Sequence, residues 1–206
     1  MKKIKWIIFD LGGIVVPEIE PIINRKIAEV LNISEKKLIE IHKKYKGQIT
    51  SGALTLFDMY SAITNELGIQ VSSKYLLQEH LNMYEINGIK HYNDVVLLIE
   101  SLKKNYGVAC LTNLEIEIAD ICRETRLYDY FDRAFLSTEL KMQKPDLEIY
   151  HKVLESLKCK PEETVFIDDK IENVNSANKI GMHAIHYSNL DQLKIDLLEV
   201  CNAFPD

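Results

Sequence analysis

Several features that mark common functional classes are scarce in this chain of 206 residues. Cysteine occurs only at positions 110, 122, 159 and 201 and never as a Cys-x-x-Cys pair, so we expect neither a zinc site nor a redox motif. The wide spacing instead indicates reduced, mostly buried thiols in a cytoplasmic protein. No stretch reaches the roughly 18 apolar residues that a transmembrane helix needs.

Positive charge is also in short supply. The 25 Lys and Arg residues are outnumbered by 31 Asp and Glu residues, and no long basic stretch is present. We therefore expect neither nucleic acid nor an anionic membrane surface as a partner, and a phosphorylated ligand would need a local cation. The length allows one sizeable domain, or a core domain with a smaller insert.

The segment WIIFDLGGIVV, residues 6–16, is apolar almost throughout, yet it contains Asp10, Gly12 and Gly13. A secretion signal would need about 7–15 uninterrupted apolar residues, and Asp10 interrupts this run directly after Phe9. A phosphate-binding loop would need more glycines or a GK[ST] ending. The pattern therefore favours a buried strand that delivers Asp10 to the edge of a sheet, where glycines let the chain turn closely around a ligand.

Five short apolar runs predict buried strands, because continuous apolarity suits strands that are covered on both faces. These runs are residues 5–10, 107–112, 133–137, 164–169 and 182–187. Between them, apolar residues recur with helical spacing. The helical segments are residues 92–105, 114–126, 146–158, 171–180 and 189–201. Strands that alternate with helices of this length predict an α/β fold with a doubly wound parallel sheet.

Residues 17–90 break this alternation. They contain helical patterns near 20–31, 34–46, 54–67 and 73–86 and no convincing strand, and the segment GQITSG at 47–52 reads as a loop. We therefore predict an α/β core domain made of residues 1–16 and 91–206, with a helical domain of residues 17–90 inserted after the first strand.

Polar side chains stand at or near the ends of several predicted strands, and in an open parallel sheet this edge is where ligands bind. The residues are Asp10, Thr112, Asn113, Lys144, Asp168 and Asp169. Paired carboxylates suit Mg²⁺, a hard cation, and a carboxylate can attack phosphorus to form an aspartyl-phosphate. A metal, a lysine and a hydroxyl or amide group then neutralise charge on the transferring group. The set predicts phosphoryl transfer.

Four segments in this order resemble the motifs of the haloacid dehalogenase (HAD) superfamily across the whole chain. They are IIFDLGGIVV, ACLTN, QKPDLEIY and VFIDDKIENV. The helical insert resembles the cap domain of the phosphatase-like branch, subfamily I, in which the cap follows the first motif. In that family a stretch placed like residues 47–52 approaches the active site, so we expect it to help select the substrate.

The resemblance implies a role for each matching position. Asp10 would be the nucleophile and a Mg²⁺ ligand, and Lys144 would offset the negative charge on Asp10 and on the phosphate. Thr112 and Asn113 would hold the phosphoryl oxygens of a small phosphorylated metabolite.

The metal site implied by the resemblance combines Asp10 with Asp169 and the backbone carbonyl of Gly12. Asp168 would either bind the metal as a further ligand or support the ligands. Most phosphatases of the family carry a second Asp at the position of Gly12, where it protonates the leaving alcohol and then activates water. Loss of a general acid/base typically lowers the rate about 10²–10⁴-fold, so turnover is expected to be weakened.

Three functions therefore stay open for this sequence. The first is a Mg²⁺-dependent phosphatase that works through an aspartyl-phosphate, and the second is a non-catalytic protein that keeps the HAD fold and binds a ligand or partner. The third is a 2-haloacid dehalogenase, whose halide leaves without protonation. Dehalogenation needs no metal, so Asp168 and Asp169 would then be like charges beside an anionic nucleophile with no cation to balance them.

Overall fold

The computed structural model describes residues 3–201 and places a parallel five-stranded sheet at the centre of the molecule. The strands are β1 (Trp6–Phe9), β2 (Gly107–Thr112), β3 (Arg133–Leu136), β4 (Thr164–Asp168) and β5 (His183–His186). Their order across the sheet is β3-β2-β1-β4-β5. Each strand lies within a predicted range, and the predicted α/β class with a parallel sheet is confirmed.

Four helices occupy the segment that follows β1. They are α1 (Glu20–Leu31), α2 (Glu35–Thr50), α3 (Leu56–Leu67) and α4 (Ser73–Asn87). A capping box between Thr55 and Asp58 begins α3, and Gly68 ends that helix in the left-handed conformation, with a φ of 64°. Residues 17–90, all of which the structure describes, contain no strand. The division into a core domain and a cap domain stays a prediction.

Six further helices alternate with the remaining strands. They are α5 (Asn93–Leu102), α6 (Ile116–Glu124), the short α7 (Ser137–Leu140), α8 (Leu147–Leu157), α9 (Ile171–Lys179) and α10 (Leu190–Cys201). Short 3₁₀ turns cover Leu127–Tyr130 and Pro161–Glu163. Among the described residues, no helix combines the length and the apolar character that crossing a membrane requires.

The two faces of the sheet pack into two separate hydrophobic clusters. Along β1, Ile7 and Phe9 belong to one cluster, which also includes residues of α1–α6 and α10. Ile8 points the other way, into a cluster with Phe166 and Tyr150. Because successive strand residues alternate between faces, burial on both faces requires every position to be apolar. This requirement explains the continuous apolar runs in the sequence.

The predicted loop at residues 47–52 is wrong in its first part. Helix α2 continues to Thr50, and the chain turns only at Gly52, where φ is +70°. A Cβ atom on Gly47 would lie 3.2 Å from Nε2 of Gln143, so this glycine allows close approach rather than ending the helix. The end of α2 is tied down further, since the Ser137 hydroxyl donates a 2.5 Å hydrogen bond to the Thr50 carbonyl.

Candidate active site

The register of the sheet brings the polar strand ends together. Phe9 pairs with Cys110 on β2 and with Ile167 on β4, and the backbone N–H of Asp10 donates to the Ile167 carbonyl at 2.8 Å. Asp10 and Asp168 therefore emerge side by side. A cavity of about 470 Å³ opens at this edge, and its lining includes the predicted residues Asp10, Gly12, Thr112, Asn113 and Lys144.

Lys144 lies between Asp10 and Asp168 and is almost completely buried, with 4% of its surface exposed. Its Nζ atom is 2.9 Å from Oδ1 of Asp10 and 2.7 Å from Oδ2 of Asp168. The same Nζ lies 5.5 Å from the centre of the Phe166 ring, an additional favourable contact for a cation. The one ammonium group thus compensates two buried carboxylates.

Asn113 fixes the backbone of Lys144 from the neighbouring strand end. Its side-chain carbonyl accepts from the N–H of Lys144 at 2.9 Å, and its side-chain amide donates to the Lys144 carbonyl at 2.8 Å. The geometry therefore gives Asn113 a positioning task for Lys144. Contact of Asn113 and Thr112 with phosphoryl oxygens stays a prediction.

Asp168 is fully buried, and the surrounding protein already occupies both of its side-chain oxygens. The Asn173 amide donates to both oxygens, at 2.9 and 3.0 Å, and the backbone N–H of Lys170 donates to Oδ1 at 2.9 Å. With Lys144 on Oδ2, this carboxylate is held in one orientation. Asp168 therefore positions Lys144. A place for Asp168 beside a metal stays a prediction.

Asp169 lacks such partners. Its Oδ1 atom is buried and has no hydrogen-bond partner among residues 3–201. A Cβ atom on Gly13 would lie only 2.8 Å from its Oδ2 atom. Gly13 has a φ of +76°, a conformation that L side chains rarely adopt. Glycine at this position therefore satisfies both the backbone conformation and the close approach of Asp169.

Asp10, Asp168 and Asp169 together form a carboxylate cluster, in which one oxygen from each lies within 4.8 Å of the others. Burial, followed by the charge of Asp168, raises the pKa of Asp10 even though Lys144 opposes the shift. Burial and the Asp10 charge likewise raise the pKa of Asp169. An excess of buried carboxylate oxygens and an unpartnered Oδ1 atom are the donor set that a hard divalent cation satisfies.

Beyond the carboxylates, the cavity extends under the helices α1–α4 into a chamber with an apolar wall. We call this region the leaving-group chamber. Its wall is formed by Ile23, Ile49, Leu56, Met59, Ile118 and Cys122. Two buried polar atoms of cavity-lining residues, Oδ1 of Asn24 and Nε2 of His42, have no hydrogen-bond partner within the part of the chain that the structure describes. The chamber therefore combines hydrocarbon surface with unused hydrogen-bonding capacity.

Burial shifts the pKa of three ionisable side chains that line this cavity. Burial lowers the pKa of His42 to about 4 and that of His80 to about 3, and Nδ1 of His80 is hydrogen bonded to the Tyr60 hydroxyl at 2.8 Å. Burial also raises the pKa of Glu115 to about 7. The two imidazoles are therefore uncharged at neutral pH.

Several of these residues were missed by reasoning from the sequence. Asn173 lies inside the fourth motif and was found only through its burial beside Asp168. Asn24 and His42 belong to helical patterns that read as packing, and no local signal distinguishes them from other polar residues on a helix.

Comparisons with known proteins agree with this geometry. The family model for the haloacid dehalogenase-like hydrolases matches residues 4–181. A sesquiterpene phosphatase from Aspergillus oryzae is 28% identical over 188 residues, which cover 90% of each chain. A drimenol cyclase from Aspergillus calidoustus is 22% identical over 208 residues, or 96% of this chain, but this chain spans only 36% of the cyclase.

A solved structure gives the same result for the fold. A HAD family enzyme from Bacteroides thetaiotaomicron, crystallised in complex with magnesium and inorganic phosphate, superposes with a TM-score of 0.73. The two sequences are 26% identical, and the match covers 92% of this chain and 98% of that one. With the matching family model, the parallel sheet and the carboxylate cluster, the chain belongs to the haloacid dehalogenase-like hydrolases.

Proposed function

We propose that this chain is a Mg²⁺-dependent phosphatase that hydrolyses a small phosphate monoester through an aspartyl-phosphate on Asp10. The observation that carries the proposal is the carboxylate cluster, in which Asp169 retains a buried Oδ1 atom without a partner. Asp10, Asp169 and the Gly12 carbonyl would hold Mg²⁺, which would neutralise negative charge on the transferring phosphoryl group. A sesquiterpene phosphatase among the relatives and the magnesium and phosphate complex of a structural neighbour support this assignment.

Asp10 would act as the nucleophile. The N–H of Leu11 donates to its Oδ1 atom at 2.7 Å, and Lys144 contacts the same atom, which orients the other oxygen of the carboxylate. A bond forms between a carboxylate oxygen of Asp10 and phosphorus as the bond from phosphorus to the leaving oxygen breaks. Water then cleaves the phosphoryl group from Asp10 and regenerates the carboxylate.

The leaving group of the substrate would lie in the leaving-group chamber. The whole cavity has a volume of about 470 Å³, which suits a small organic molecule. The apolar wall favours a hydrocarbon portion, while Asn24 and His42 offer partners for a hydroxyl or carbonyl group. We propose that residues 17–90 are the cap domain that encloses this group and thereby selects the substrate.

Glycine at position 12 provides no acid/base side chain there, and this favours a second candidate, a non-catalytic protein with the same fold. A dehalogenase is a poor fit, because its metal-free chemistry supplies no divalent cation to balance Asp168 and Asp169 beside the anionic nucleophile Asp10.

Activity of the purified chain on p-nitrophenyl phosphate and on a panel of alkyl, isoprenyl and alditol phosphates would test the proposal. We expect release of inorganic phosphate with Mg²⁺, none after chelation with EDTA, and none from Asp10→Asn. Asp191→Asn, an equivalent change in the first turn of α10, serves as the matched control. Absence of phosphate release across the panel would favour the non-catalytic protein, and metal-independent release of halide from 2-haloacids would favour the dehalogenase.

A further inference from the structure

The position that lacks the usual acid lies next to another carboxylate. A Cβ atom built on Gly12 would meet one heavy atom outside its chain neighbours within 4 Å, namely Oε2 of Glu18 at 3.8 Å. A carboxylate oxygen of aspartate lies roughly 2.4 Å from its own Cβ, given ordinary bond lengths. Glu18 therefore presents its carboxylate to the space into which an aspartate at position 12 would extend.

Glu18 reaches this space from the short connection between β1 and α1. It lies directly after Pro17 and two residues before α1 begins, and it lines the same cavity as Asp10 and Thr112. The Glu18 side chain is 42% exposed, and its Oε2 atom is 3.8 Å from Nζ of Lys170. The carboxylate thus faces the cavity and stays accessible to water.

The charged and titratable groups around Glu18 come from three elements. Lys170, at the start of α9, is the nearest cation. Although burial lowers the pKa of Lys170, the charges of Glu18, Asp10 and Asp169 raise it overall, so this lysine stays protonated. The charge of Glu18 also contributes to raising the pKa of Asp169 and that of Tyr84 on α4. Glu18 therefore belongs to the electrostatic surroundings of the carboxylate cluster.

The other acids near the reacting centre are already engaged. Both oxygens of Asp168 accept hydrogen bonds, and Lys144 is shared by two carboxylates. Asp169 is assigned to the metal in the proposed function. Among the described residues, Glu18 is the acid with an atom within 4 Å of a Cβ atom built at position 12.

We propose that Glu18 is the general acid/base of this chain and takes over the task that the family resemblance implies for an aspartate at position 12. The assignment rests on the proposed phosphatase function. When Asp10 attacks phosphorus, the protonated Glu18 carboxyl transfers its proton to the departing oxygen, which leaves as an alcohol. When water attacks the aspartyl-phosphate, the Glu18 carboxylate takes a proton from that water as the bond from phosphorus to Asp10 breaks. Glu18 is then protonated again for the next cycle.

Four proteins test this role: wild type, Glu18→Gln, the double variant Gly12→Asp/Glu18→Gln, and the control Glu100→Gln. Glu100 is an exposed glutamate on α5 and does not line the cavity. Gly12 has no positive φ, and a Cβ atom there would make only an ordinary van der Waals contact with Glu18, so an aspartate fits there. Thermal unfolding of each variant first establishes that it is folded.

We expect Glu18→Gln to lower the steady-state rate about 10²–10⁴-fold. With p-nitrophenyl phosphate, whose leaving group needs no proton, the variant should release a burst of one equivalent of p-nitrophenol per protein. Labelled phosphate should then remain on the protein, because the second step lacks its base. With an alkyl phosphate the burst should be absent, because the first step also lacks its acid.

The double variant Gly12→Asp/Glu18→Gln should have a steady-state rate about tenfold or more above that of Glu18→Gln, because the aspartate returns an acid/base to the same space. A Glu18→Gln rate equal to that of Glu100→Gln would overturn the role of Glu18. A slow variant without a burst, or without rescue, would also overturn it. An inactive wild type would instead refute the proposed phosphatase, so the two failures are distinguishable.

Discussion

Replacing Lys144 by methionine should expose how strongly the fold depends on charge balance at the site. The substitution keeps an unbranched side chain of similar length but removes the ammonium group that lies 2.9 Å from Asp10 and 2.7 Å from Asp168. Both carboxylates are buried, with 5% and 0% of their surface exposed. Breaking a buried ion pair in this way costs about 3–5 kcal/mol.

That cost should be visible in the melting temperature. For a chain of this size, 1 kcal/mol corresponds to about 2–4 °C, so we expect Tm to fall by about 6–20 °C at neutral pH in the presence of EDTA. Lys152→Met is a matched control on α8, where the pair with Glu155 is exposed, and it should leave Tm nearly unchanged because exposed pairs contribute little.

The decrease in Tm caused by Lys144→Met should also depend on pH and on Mg²⁺. Burial raises the pKa of Asp10 above its unfolded value of 3.8. Ionisation of Asp10 therefore lowers the free energy of unfolding as pH rises. This decrease is larger in the variant, because the ammonium group of Lys144 is absent. The difference in Tm between Lys144→Met and wild type should therefore shrink on acidification. It should also shrink on addition of Mg²⁺, which replaces the missing positive charge. Equal Tm values of the two proteins at neutral pH in EDTA would refute this reasoning.

Three further outcomes follow from particular residues. Asp169→Asn should abolish the increase in Tm that Mg²⁺ gives wild type, as thermal scans with and without the ion would reveal; an unchanged increase would argue against Asp169 as a ligand. Gly13→Ala should weaken Mg²⁺ binding measured by calorimetry, because its Cβ would lie 2.8 Å from Asp169. Gly68→Ala has a similar positive φ and no neighbour within 4 Å, so it should keep wild-type affinity, and equal affinities would contradict the steric explanation. For His80, the folded pKa of about 3 lies below the ordinary value of 6.5, so stability should fall as pH drops through this window. His80→Gln should flatten that decline in urea unfolding, and an unaltered pH slope would exclude His80 as its source.

The sheet could be predicted from the sequence because its physical cause is local. A strand covered on both faces needs an unbroken apolar run, and the five runs of this chain have the length of strands rather than of helices. The helices likewise follow from apolar spacing. The predicted end of α2 is wrong because Gly47 looks like a helix breaker. A glycine is needed there for another reason, since the side chain of Gln143, from a distant part of the chain, lies close to it.

The candidate site could be predicted only in outline. Asp10 and Asp168 end strands, so the register of a parallel sheet brings them together. The orientation of the Asn113 amide toward the Lys144 backbone depends on a loop conformation that no local pattern encodes. The approach of Glu18 to Gly12 depends in the same way on the fold of the chain after β1, and the sequence alone showed only that an acid was missing.

Covalent labelling of Asp10 tests the proposed phosphatase most directly. Wild-type protein would be mixed with Mg²⁺ and a phosphate monoester carrying labelled phosphorus, quenched in acid within one turnover, and mapped by peptide. We predict label on the peptide containing Asp10 and none on Asp10→Asn. Turnover by Asp10→Asn at the wild-type rate, or label attached to another residue, would contradict Asp10 as the nucleophile.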